Sequence, residues 1–121
     1  MKITGLPIAE KSILSQLAIL FSAEKGYAWP GKATLNLRTG VSVRHITRVT
    51  QALERKGFIW VQHCFIDYDN PRPRQISNRY YLPLFDPESA ENAKLAGKSV
   101  YVTPTPNYDA GTIEMLREDE W

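Results

Sequence analysis

Cysteine is nearly missing from the chain, where Cys64 stands alone, and this excludes an internal disulfide framework. Histidine is almost as scarce, with only His45 and His63. A tetrahedral zinc centre draws several Cys or His ligands together. Neighbours such as His63 and Cys64 project to opposite faces of a strand, so no metal site is expected. No apolar run approaches the roughly 18 residues of a membrane span. The opening MKITGLPIAEKS lacks the apolar stretch and small-residue cleavage site of a signal peptide. A cytoplasmic protein without a membrane partner is expected.

Catalytic equipment is also sparse. There is no G-x-S-x-G nucleophile elbow, and the acidic residues before residue 85 are too scattered for a two-metal centre. Gly26-Tyr27-Ala28-Trp29-Pro30-Gly31-Lys32 matches the start of a phosphate-loop spacing, but Ala33 stands where a hydroxyl should hold Mg²⁺. The motif also needs a strand before it, and the preceding residues read as a helix. Neither an enzyme nor a bound cofactor is expected.

What is present suits one small globular domain: 121 residues, 43% hydrophobic and 23% charged. The net charge of +2 conceals a division. Up to Leu84 there are twelve basic and five acidic residues, and after it three basic and eight acidic ones. A basic body of residues 1–85 followed by an acidic, partly disordered C-terminal tail of residues 86–121 is the expected organisation, and a basic body points toward polyanions.

Ile13, Leu14, Leu17, Ala18, Leu20 and Phe21 recur at helical spacing, which predicts a first helix over about residues 8–24 with Pro7 in its first turn. Tyr27 and Trp29 lie in the turn that follows and are expected as core anchors. KATLNLRTG reads as a two-turn helix stopped by Gly40. Ser42 is a good N-cap for a third helix running to about Lys56 and ending at Gly57. FIWVQHCFI and NRYYLPL are rich in β-branched and aromatic residues and read as strands, joined by the polar DYDNPRPRQIS. DPESAENAKLAGKS suggests a short helix, and VYVTPTPNY an extended segment.

The third helix has two faces. At about 100° per residue, Ile46, Val49 and Leu53 share one stripe, and Arg44, Arg48, Gln51 and Arg55 share another nearly opposite. His45 and Thr47 flank the second stripe. The first stripe is expected to dock on helix 1. The second has the form of a recognition helix: the major groove of B-DNA admits one α-helix, and arginine pairs bidentately with guanine. Arg44, His45, Thr47 and Arg48 lie where base edges are reached, and Arg55 nearer the phosphates. Arg72 and Arg74, stiffened by Pro71 and Pro73, form a basic loop tip. Lys32, Arg38, Ser42 and Arg79 complete the expected backbone contacts.

Trp29-Pro30 before the second helix, Thr39-Gly40-Val41-Ser42 at the turn, Ile46 and Arg48 in the third helix, Leu53-Glu54, Gly57 and Ile59 at the corner, and Asn78-Arg79-Tyr80-Tyr81-Leu82 in the last strand form one pattern. Over about residues 8–84 the chain resembles the winged helix-turn-helix domains of bacterial phage and plasmid replication proteins. The resemblance implies an α+β fold of three helices and a two- or three-stranded β-wing. It also implies double-stranded DNA binding in replication initiation or replisome organisation. Transcriptional regulators use the same module. A third reading makes the fold a scaffold for protein interaction, such as inhibition of a host enzyme. The acidic tail would restrain non-specific DNA binding or recruit a replication or transcription protein, and a homodimer would read two half-sites.

Overall fold

The computed structural model describes residues 5–66 and 74–102. The chain is α+β, with α1 (Ile8–Leu20), α2 (Lys32–Thr39), α3 (Val43–Arg55), β1 (Trp60–Ile66), β2 (Arg74–Tyr81), α4 (Pro87–Ala96) and β3 (Ser99–Tyr101) in that order. The expected tip residue Arg72, and the tail beyond Val102, lie outside the described residues.

The three N-terminal helices pack around one core. Ile13, Leu14 and Leu17 of α1, Leu35 of α2, and Ile46, Val49 and Leu53 of α3 are all buried there. Pro7 precedes the first turn of α1, where its missing N–H costs nothing. The helix ends at Leu20, earlier than periodicity predicts, because Ser22 takes over the local amides. Its carbonyl accepts from the Gly26 N–H at 2.7 Å and its hydroxyl from the Lys25 N–H at 3.2 Å. Gly40 closes α2 in the left-handed conformation at φ 77°, its N–H on the Asn36 carbonyl.

β1 and β2 form an antiparallel hairpin, and β3 lies parallel to β1 on its other side, giving the order β2-β1-β3. Ala28 adds a short bridge to β2, exchanging both backbone hydrogen bonds with Tyr80 at 2.9 and 2.7 Å. One sheet face meets the helices through Val61 and Tyr80. The other meets α4, where Tyr81, Ala90 and Ala93 are buried beside Tyr27 and Trp60. Farther along the sheet, Cys64, Ile66 and Ile76 form a second cluster with Val100 and Val102.

The folded body therefore does not stop at residue 85. Asp86 caps α4, accepting from the Ser89 N–H at 3.1 Å and the Ser89 hydroxyl at 2.9 Å. Gln62, fully buried on β1, donates to the carbonyls of Ala93 at 3.2 Å and Gly97 at 3.0 Å and accepts from the Tyr81 hydroxyl at 3.2 Å. Lys98 then returns to the corner between α3 and β1, pairing with Glu54 and donating to the Val61 carbonyl. Residues 86–102, expected as part of the tail, contribute a helix and the third strand of the sheet. The helix is the one expected over DPESAENAKLAGKS, and β3 overlaps the extended VYVTPTPNY; their small buried side chains and this polar clamp explain why apolar periodicity did not announce that they belong to the folded body.

Gly26 sits at φ 82° beneath the start of α4, where an added Cβ would lie 2.1 Å from the Ser89 Oγ and 2.7 Å from its Cβ. Gly26→Ala should destabilise by more than the roughly 1–2 kcal/mol of a left-handed alanine, because Ser89 is fixed by Asp86. Adding Ser89→Gly should recover the excess. Urea denaturation of both variants measures this, and equal losses would show that the loop and α4 do not touch.

Candidate nucleic-acid interface

Burial and capping of α3 decide which of its side chains face outward. Ile46, Val49, Thr50 and Leu53 are buried. Arg44, Arg48, Gln51 and Arg55 are all exposed, and at about 100° per residue their directions fall within roughly 60° of one another. Ser42 caps the helix, its hydroxyl accepting from the His45 N–H at 3.2 Å. The His45 side chain is exposed and Thr47 half-buried, so both border the arginine stripe. Val43, missed by the sequence reading, opens the helix with 46% of its surface exposed; an apolar residue outside the buried periodicity was the available signal.

The three arginines enter no ion pair among the described residues. Glu54 is the carboxylate of α3, and it is engaged elsewhere. It accepts from the Val61 N–H at 2.8 Å and pairs with Lys98. Glu10 is taken by Lys56 at 2.6 Å. The stripe is thus a row of cations with their donors unspent, which suits phosphate oxygens and guanine edges alike.

The remaining expected contacts divide. Lys32 begins α2 and is half-buried. Arg74 begins β2, exposed and opposite Ile66, at the base of the connection that holds Arg72. Arg38 turns toward α1, donating to the Gln16 side chain at 3.3 Å.

Arg79 does not join the interface expected of it. Its Cα partner across the hairpin is Gln62, so its side chain lies on the α4 face of the sheet, away from α3. There its guanidinium covers the Tyr27 ring at 4.7 Å. Burial acts against the Arg79 charge, but attraction to Cys64, Tyr27 and Tyr81 outweighs it and holds the pKa above its ordinary value. Tyr27 and Trp29, expected as core anchors, are half-buried and stack edge to face at 5.6 Å beside it, while Ala28 between them is fully buried.

The phosphate-loop-like segment is built into the body. Ala28 is bonded to Tyr80, Pro30 and Gly31 are buried, and Gly31 is the N-cap of α2. Among the described residues no cluster of His, Cys, Asp and Glu could hold a metal ion, and no helix is long and apolar enough to cross a membrane.

Comparison with the profiles of known families, with characterised proteins and with solved structures finds no match to this chain.

Because Ser42 fixes the first turn of α3, Ser42→Ala should lower stability by about 1 kcal/mol. In urea denaturation the midpoint should fall with the slope unchanged, and Ser42→Asp should restore it. An unshifted midpoint in the alanine variant would show that the cap does not hold the helix start.

Proposed function

We propose that this chain binds double-stranded DNA with α3 in the major groove, using a winged helix-turn-helix arrangement of α1, α2, α3 and the β1–β2 hairpin. The observation that carries the reading is the exposed Arg44, Arg48, Gln51 and Arg55 stripe, opposite the buried stripe of the same helix and without ion pairs among the described residues. Helix order supports it, since α2 and the Gly40–Ser42 turn lead directly into the helix that carries the stripe. In this docking the first turn of α3, with Val43, Arg44 and His45, meets base edges. Arg48 follows one turn later, and Arg55 reaches phosphate. Arg74, at the start of β2, lies over the neighbouring backbone as part of the wing.

The process is proposed from the resemblance alone: replication initiation or replisome organisation of phage or plasmid type, with transcriptional regulation as the second reading. Binding sites clustered as iterated repeats at an origin favour the first, and an inverted repeat before a gene favours the second.

Fluorescence anisotropy over a salt series tests the proposal, with random-sequence duplex and duplex selected for tight binding. Wild type should bind both, with the affinity falling steeply as salt rises. Arg48→Ala should cost about 1–3 kcal/mol on the selected site if the side chain reads a base. Arg55→Ala should weaken both duplexes similarly and reduce the salt slope by about one. Lys94→Ala, on exposed α4, should change neither. Absent binding at low salt, or an Arg48→Ala variant equal to wild type, would overturn the assignment of this face.

A further inference from the structure

On the opposite side of the sheet from the arginine stripe, a cleft of about 510 Å³ opens between α4 and the strands. Its polar lining includes Arg79, Lys25, Gln62, Tyr81, Asn92 and Ser89, and its far wall is Val100 to Val102. Its size is within the ordinary range for small-ligand sites. Two cations face it, and no carboxylate lines it.

The hydrogen bonds within the cleft show which donors remain available. The Gln62 amide is spent on the Ala93 and Gly97 carbonyls, the Tyr81 hydroxyl on Gln62, and the Ser89 hydroxyl on Asp86. Arg79 is half-buried and packed on the Tyr27 ring at 4.7 Å. Its guanidinium donates to the Tyr81 side chain, and among the described residues it has no ion pair. Lys25 stands at the mouth, 5.4 Å from the centre of the Trp29 ring, and Asn92 is exposed on α4. A guanidinium carries five N–H donors, more than the Tyr81 hydroxyl uses. The planar guanidinium of Arg79 is shaped to donate to two oxygens of one group.

We propose that this cleft is an oxyanion site, taking a carboxylate or phosphate group on Arg79 with Lys25 and Asn92 as further donors. Two sources offer that chemistry. One is a free anionic small molecule. The other is the chain itself, since residues 103–121 contain Asp109, Glu114, Glu118, Asp119 and Glu120 against Arg117 alone, and they continue directly from Val102 in the cleft wall. The site does not depend on the DNA reading, because it lies on the other face of the sheet.

Nuclear magnetic resonance of the full chain tests this, following the Arg79 Nε–H, the Gln62 side-chain amide and the Trp60 indole N–H. Inorganic phosphate and acetate would be titrated at constant ionic strength against chloride. A second chain would carry Asn or Gln at the five acidic positions of residues 103–121. Saturable shifts in wild type, weakened severalfold by Lys25→Gln and lost in Arg79→Gln, support a free anion as occupant. Saturable shifts only in the neutralised chain support occupation by the chain's own carboxylates. Shifts that never saturate, or that chloride reproduces in both chains, overturn the proposal. The titrations of the wild-type and neutralised chains together decide this even if Arg79→Gln does not fold.

Discussion

The direction in which the α3 arginines point is set by side chains they never touch. Ile46 and Leu53 are completely buried and Val49 almost so, against α1 and α2. Fully burying each aliphatic side chain is worth about 1.5–3 kcal/mol, far more than an exposed charge gains from any particular orientation. A helix is rigid about its axis, so seating one stripe fixes the other to within the scatter of rotamers. Rotating α3 to hide its arginines would expose this core stripe and leave buried cations without partners. The polar face of the helix is therefore a consequence of the core.

The sheet is held to the helices by a different kind of constraint. α4 presents only Ala90 and Ala93 as fully buried side chains, too little apolar area to fasten a ten-residue helix by itself. Gln62 supplies what is missing by satisfying two α4-end carbonyls from inside the sheet. Buried acceptors left without donors cost about 1–3 kcal/mol each, so the clamp is selective for one seating of α4. Lys98 extends the same logic, resting 4.6 Å over the Trp60 ring while pairing with Glu54. The corner where α3 passes into β1 is thus closed by the segment that follows α4.

Local chemistry was legible in the sequence and long-range chemistry was not. Ser42, Gly40 and Gly57 mark helix ends through rules that act within one turn, and each boundary falls where those rules put it. The two faces of α3 were equally legible, because four apolar or polar positions at helical spacing leave little freedom. The end of α1 was misplaced because Ser22 competes with the helix over a stretch whose composition still favours it. β3 overlaps the extended segment expected from residue 100, but it is three residues long and pairs with a strand far earlier in the chain, so no local pattern announces its place in the sheet. Arg79 could not be assigned a face, since Tyr80 and Tyr81 beside it are both buried, one on each side of the sheet. A strand covered on both faces has no alternation to read, and an arginine in it can only be placed by its neighbours across the hairpin.

The distribution of ion pairs gives the molecule its electrostatic polarity. Lys56, Lys94 and Lys98 are paired with Glu10, Glu91 and Glu54, so much of the body's charge cancels locally. Glu54 is the telling case. It follows Leu53 and precedes Arg55, and its carboxylate is turned to the Val61 N–H and Lys98; the residues three and four places before it are Gln51 and Thr50, not arginines. With no carboxylate three or four residues from any of its arginines, α3 carries no internal i,i+4 compensation that would weaken its outward field. With Glu54 drawn into the corner, the residual positive charge collects on the one face that the core already forces outward. The small net charge of the whole chain thus understates the field at α3, and a polyanion approaching the molecule meets the arginines rather than the average.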